Sequence, residues 1–296
     1  MICIFEVIAQ KIIQLKKYLS LVKFSHTIFA LPFAIIGLFL AWKTHGVPLE
    51  IVLFVKVILC MIFARSAAMA FNRYLDREID AKNPRTAVRE IPVGKVTPRN
   101  ALLFTGFNCA AFIATTFFIN PLCFWLSPIA LLVVLGYSYT KRFTFLCHFV
   151  LGLGLALAPL GAYLAVTASF AIIPILFSII VLTWVTGFDI IYALQDQDFD
   201  TEMDLYSIPR VFGTTGAIRT SWILHIITAS TMFYSGYALN GSIFYWIGAS
   251  IFVILLGFQH KIVKANDLSK INLAFFTTNG IASVVFCTFF VLDFYL

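Results

Sequence analysis

Asn72, Asp76 and Asp80 recur at intervals of four in FNRYLDREIDAKNPR, residues 71–85, a stretch that emerges from a long apolar segment. On a helix of about 3.6 residues per turn that interval sets the amide and both carboxylates on one face. The expected result is an oxygen-rich stripe at a membrane surface. A second stretch, GFDIIYALQDQDFD at 187–200, repeats the device with Asp196 and Asp200, with Tyr192 one turn before Asp196 and Asp189 two turns before. Ten of the 14 Asp and Glu of the chain fall in these two stretches and their flanks.

Two facing carboxylate stripes repel unless something positive lies between them. Paired hard oxygen ligands suit Mg²⁺, which binds through one or two carboxylates and completes its shell with water and substrate phosphates; Mn²⁺ can substitute. An anionic diphosphate is then the natural third party. Arg73 and Arg77 lie beside the first stripe, Lys82, Arg85 and Arg89 follow it, and Lys141 with Arg142 opens another loop, where the pair serves either the diphosphate or only topology. Arg65 lies two turns before Asn72 inside the apolar segment, and an ionisable residue at that depth is a functional candidate. Asp198 and Glu202 fall on a different face from Asp196 and Asp200 and are expected in solvent. His26 and His148 lack metal-type partner spacing and read as hydrogen-bonded structural groups. Lys56, well inside the second apolar run, either snorkels or contacts substrate.

The elements that must position these groups are membrane helices. The chain is 61% hydrophobic and 12% charged, with a mean hydropathy of +0.94, which marks an integral membrane protein. Its 32 Phe suit either a bundle interior that holds a greasy ligand or lipid-facing surfaces. The six Cys show no CxxC spacing, so packing is their expected role. With about 20 apolar residues per span, nine transmembrane helices are predicted in one bundle, over 24–42, 50–72, 99–118, 122–139, 145–166, 171–193, 216–238, 243–261 and 272–293. Residues 1–23, which mix Lys with Ile, Leu and Val, read as an interfacial segment ahead of a membrane domain over 24–296. No cleavable leader is expected, because the first apolar run follows several Lys and continues to spanning length.

Basic loops alternate strictly with loops that lack Lys and Arg, and only Lys43 falls on the wrong side. This pattern sets the N-terminus and both acidic loops in the cytoplasm, with the bundle in the cytoplasmic (inner) membrane. The net charge of +7 is accounted for by these loops and gives no sign of nucleic-acid binding. Asn83-Pro84 is expected to stop the extension of the second helix, and Thr97-Pro98 to cap and start the third.

KFSHTIFALPFA from Lys23, NRYLDREIDAKNPRTAVREIPVG from Asn72, YSYTKRFT from Tyr137, the 187–200 stretch and SIPRVFG from Ser207 together resemble the UbiA superfamily of intramembrane prenyltransferases over nearly the whole chain. The resemblance implies that Asn72, Asp76 and Asp80, with Asp196 and Asp200, jointly hold Mg²⁺ on a polyprenyl diphosphate. Many members read NDxxDxxxD; Arg73 in the second position removes one acid and points to the branch of 4-hydroxybenzoate polyprenyltransferases and their relatives in quinone biosynthesis.

In that reading the metal ions and basic residues stabilise the departing diphosphate, the allylic C–O bond ionises, and a phenolic acid attacks the cation at ring carbon. Asp189 orients or deprotonates this aromatic acid acceptor, with Tyr192 and Lys23 as further candidate contacts. The prenyl tail lies among the helices, open to membrane lipid. 4-Hydroxybenzoate is the expected acceptor, with 1,4-dihydroxy-6-naphthoate of menaquinone biosynthesis as the alternative; Lys23, Lys56 and Arg65 could each anchor its carboxylate. Two other classes remain open from the residues: a cation-coupled transporter, disfavoured because the acids crowd one end, and a structural subunit, which gives the acid stripes no purpose.

Overall fold

Apolar runs bounded by Pro, Asn and Ser signals fold as helices throughout the computed structural model, which describes residues 18, 20–22, 29–46 and 50–295. Most of the interfacial segment expected over 1–23, together with Lys23 and His26, lies outside the described residues. The long helices are α1 Leu31–His45, α2 Ile51–Leu75, α4 Pro98–Phe117, α5 Pro121–Thr140, α6 Cys147–Thr167, α7 Ile172–Ala193, α9 Ile208–Ala238, α10 Ile243–Ile262 and α11 Asn279–Tyr295. Two short helices, α3 Arg77–Lys82 and α8 Gln197–Glu202, carry the acid stretches. Among the described residues there is no strand beyond one isolated bridge between Lys264 and Asp267. Among the described residues, seven helical segments are long and apolar enough to cross a membrane: α2, α4, α5, α6, α7 with its extension to Glu202, α10, and α11 with the π-helical turn Leu273–Thr278 before it.

Local signals explain the ends. Thr97 accepts a hydrogen bond from the Asn100 N–H at 3.2 Å, with Pro98 in the first turn of α4, as expected. Asn120 caps α5 through the Cys123 N–H at 2.8 Å, and its amide also donates to the Leu164 carbonyl at 2.9 Å. The seventh long helix carries a short helical piece from Ile208 ahead of the span expected from 216. Ser207 caps it and Pro209 occupies its first turn, but Gly213, at φ 67° and ψ 173°, breaks it within two turns. That backbone region is open essentially to glycine alone.

Packing joins α7 to both α6 and α9, α2 to α4, α1 to α6 and α10 to α11. The main core is aromatic, with Phe33, Phe177, Trp184, Phe252 and Phe286 fully buried and Trp184 Nε1 donating to Asn279 Oδ1 at 2.9 Å. Many Phe therefore serve the protein's own packing, while Phe107, Phe117 and Phe118 face outward. Close approach of α1 and α6 requires Gly37, where an added Cβ would lie 2.2 Å from the Pro159 carbonyl oxygen. Backbone cannot yield there as a flexible side chain would, so Gly37→Val should destabilise the bundle by about 1–3 kcal/mol. A lower unfolding temperature in detergent is expected, and an unchanged one would refute the contact.

Candidate functional site

The first acid stretch is not one continuous helical stripe. α2 ends at Leu75, Asp76 takes the C-cap position at φ −90° and ψ 5°, and the chain restarts as α3. At this point Arg142, two residues past the end of α5, donates from Nη2 to both the Leu75 carbonyl at 3.2 Å and Asp76 Oδ1 at 2.8 Å. External donors thus satisfy carbonyls that a longer helix would have used. Lys141 Nζ lies 2.5 Å from Asp76 Oδ2, and Asn72 Nδ2 donates to the same oxygen at 3.0 Å. Asp76 is 1% exposed, and such a carboxylate survives burial only with partners of this kind.

Asp80, also buried, accepts from Arg89 Nη1 at 2.6 Å through Oδ1, whereas its buried Oδ2 has no hydrogen-bond partner. Arg85 and Asn83 cross from this loop to the second stretch. Arg85 Nε lies 2.9 Å from Asp196 Oδ1, its Nη2 donates to Oδ2, and Asn83 Nδ2 donates to Oδ1 at 3.0 Å. Burial opposes charge on Arg85, but the hydrogen bonds and charge of Asp196 raise its pKa above the ordinary guanidinium value. Arg85 also donates to the Tyr192 hydroxyl at 3.1 Å and sits over that ring, which stacks on Phe275 of the π-helical turn with centroids 4.0 Å apart. The two acid stretches are therefore brought together, with arginine between them.

Asp196 sits at the end of the turn Leu194–Asp196, and Asp200 lies on α8. Asp198 and Glu202 are exposed, as expected. Asp189 Oδ2 is 2.7 Å from His148 Nδ1, a partner that spacing alone did not reveal. Arg77 turns to Tyr74 and Glu78, Lys82 is exposed, and Arg73 is buried with an unpartnered Nε.

Beneath the first stretch lies a cavity of about 350 Å³ between α2, α5 and α6. Its lining is chiefly aliphatic, including Val57, Met61, Met69, Ala130, Val134, Leu155 and Ala158, with Phe112 and Phe170 as the phenylalanines. Arg65 and Tyr137 are its notable polar residues, and Arg65 Nε is buried without a hydrogen-bond partner. One turn beyond Met69 on α2 stands Asn72, and one turn beyond Tyr137 stands Lys141. Lys56 is absent from the lining; its ammonium reaches the Phe118 carbonyl at 2.5 Å, at the opposite end of the bundle. Lys43, the exception to the charge pattern, pairs there with Asp293 at 3.2 Å.

The donor set of the two stretches is oxygen throughout, which suits a hard divalent cation. Asp80 Oδ2, buried and unpartnered, is the atom that most needs one. Among the described residues, no group of three or more His, Cys, Asp or Glu is already gathered around one point. Each motif carboxylate of Asp76, Asp80 and Asp196 is instead turned onto a base of the chain.

The chain is similar to known proteins in sequence and in fold. The chain is 29% identical over 254 residues to a 4-hydroxybenzoate octaprenyltransferase of Photobacterium profundum, spanning 84% of this chain and 86% of that protein. It is 31% identical over 253 residues to the protein of the same name from Nitrosomonas europaea, spanning 84% of each. In structure it is similar to the apo form of a UbiA homolog from Aeropyrum pernix, with a TM-score of 0.82, 28% identity, and 90% of this chain and 98% of that one covered. A UbiA homolog from Archaeoglobus fulgidus, bound to DMAPP and Mg²⁺, shares the fold at a TM-score of 0.75 and 20% identity, over 95% and 99% of the two chains. The model of the UbiA prenyltransferase family matches residues 30–281, and the chain belongs to that family.

Proposed function

We propose that the chain transfers a polyprenyl group from polyprenyl diphosphate to a ring carbon of 4-hydroxybenzoate in quinone biosynthesis, in a reaction that requires Mg²⁺. The observation that carries this reading is the pair of acid stretches joined through Arg85 directly above an apolar cavity that holds an unpartnered guanidinium nitrogen. The names of the relatives support the acceptor, and the Mg²⁺ in the Archaeoglobus homolog supports the metal. With the family established, the transporter and structural-subunit readings fall away.

Asn72, Asp76, Asp80, Asp196 and Asp200 would hold the metal, which when bound neutralises the diphosphate and stabilises the charge of the leaving group. Lys141, Arg142, Arg85 and Arg89, once turned from the acids, bind the diphosphate oxygens; Arg73 and Lys82 add to the positive field. The cavity takes the prenyl tail and keeps water from the allylic cation. Arg65, about two turns below Asn72, meets the acceptor carboxylate, and Asp189 receives the ring proton, with Tyr192 beside it. All nine long helices cross the bilayer, the acid end faces the cytoplasm, and the membrane is the inner one; the alternation of basic loops supports this orientation.

The test is transfer by the purified chain in lipid or detergent, with a polyprenyl diphosphate and either 4-hydroxybenzoate or 1,4-dihydroxy-6-naphthoate. Prenylated 4-hydroxybenzoate is expected, lost on chelation of Mg²⁺ and restored when it is added back. Product from the naphthoate alone would overturn the acceptor, and product from neither would overturn the activity.

A further inference from the structure

His148 is 5% exposed and Asp189 lies one bond away from it, Nδ1 to Oδ2 at 2.7 Å. Burying an ionisable pair inside a membrane bundle is costly and gives little net stability, so its position matters. His148 stands one turn before Leu151, which lines the apolar cavity. On α6, His148 is thus one turn from the cavity lining, and Asp189 lies beyond it on α7.

The hydrogen bonds fix the imidazole tautomer. The backbone N–H of Ile208, at the start of α9, points to His148 Nε2 at 3.4 Å, a geometry that favours Nε2 as acceptor and Nδ1 as the donor nitrogen. Nδ1 then donates to Asp189 Oδ2, and Asp189 keeps Oδ1 open. Neighbouring contacts hold the same seam. The Tyr206 N–H donates to the Lys141 carbonyl at 2.7 Å, and the Cys147 thiol donates to the Tyr206 carbonyl at 3.5 Å. His148 thus ties Asp189 of α7 to the end of the second acid loop and to the segment that carries Lys141.

We propose that His148 is a positioning residue for prenyl transfer: it holds Asp189 as a carboxylate with Oδ1 turned to the acceptor. This inference rests on the proposed reaction. In that step the bond between prenyl C1 and diphosphate oxygen breaks with its electron pair leaving on the diphosphate. A bond forms between C1 and the ring carbon, and the proton of that carbon passes to Asp189 Oδ1. His148 itself gains and loses nothing.

Asparagine mimics the Nδ1 donor, and glutamine mimics only the Nε2 reach. His148→Ala and His148→Gln should lower kcat about 10²-fold, whereas His148→Asn should stay within several-fold of wild type. Binding of geranyl diphosphate with Mg²⁺, measured by titration calorimetry on the same preparations, should be unchanged in His148→Asn and His148→Gln. The double variant His148→Ala/Asp189→Asn should be no slower than Asp189→Asn alone, because the two act as one unit. Equal losses in His148→Asn and His148→Gln, or loss of diphosphate binding in step with kcat, would make the residue merely structural and overturn the proposal. A wild-type chain that prenylates no acceptor overturns the reaction and this inference with it, whereas an active wild type with an impaired His148→Asn overturns the inference alone.

Discussion

Asp76→Asn should lower kcat/KM for the prenyl diphosphate by about 10³-fold, the scale seen when one preorganised charge-stabilising group is removed. The substitution keeps the shape of the side chain but removes a proposed metal donor and the charge that gathers Lys141 and Arg142. Both bases are more than a quarter exposed, so they remain hydrated when the carboxylate is gone, and the fold should persist. The check is steady-state kinetics beside an unfolding curve. An activity within tenfold of wild type, with the fold intact, would remove Asp76 from the metal site.

Lys141→Met should act in two opposite directions. The ammonium lies 2.5 Å from Asp76 Oδ2 and competes with any cation for that oxygen. A charge pair at about 4 Å is worth roughly 4 kcal/mol near a protein surface before solvent screening. Removing the base should therefore tighten binding of Mg²⁺ alone by about tenfold, allowing for that screening. Diphosphate loses one of its cations in the same variant, and its affinity should fall about 10²-fold, the lower end of what truncating one member of a charge pair costs. Calorimetric titration with Mg²⁺ and with inorganic diphosphate separates the two effects. Weaker binding of both ligands would mean that Lys141 supports the site without competing for Asp76.

The exchange explains why the acids and bases occur together. Asp76, Asp80 and Asp196 are paired with Lys141, Arg142, Arg89 and Arg85, so repulsion between the two acid stretches is contained. A metal–diphosphate complex supplies both signs at once and can replace these internal pairs with no net charge left uncovered. Either partner alone would strand one sign.

Much of this was legible in the residues because the signals are local or set by the bilayer. Bilayer thickness fixes the length of an apolar run, so the predicted spans match the helices to within a few residues at α2, α4 to α7 and α10, and at α11 taken with the π-helical turn before it. Intervals of four marked both acid stretches, and the capping residues Thr97 and Ser207 sit where their helices begin. The early start of α9 was missed because the apolar pattern resumes only near 216, although Ser207 and Pro209 carried the signal.

Tertiary structure alone decided how those groups are used. Asp76, at the break after α2, meets Arg142 from 66 residues away, and the two acid stretches are tied through Arg85 and Asp196, 111 apart. His148 meets Asp189 across 41 residues, and Lys56 and Lys43 find partners at the far end of the bundle. Helical periodicity constrains which residues share a face, but pairing between helices follows from how closely their backbones approach, as at Gly37 and Pro159. The sequence by itself determined the membrane helices, the two oxygen-rich stretches and the family they resemble. Which base sits on which acid, and where the cavity opens beneath them, depended on helix packing, because no local rule relates charges that lie on different helices.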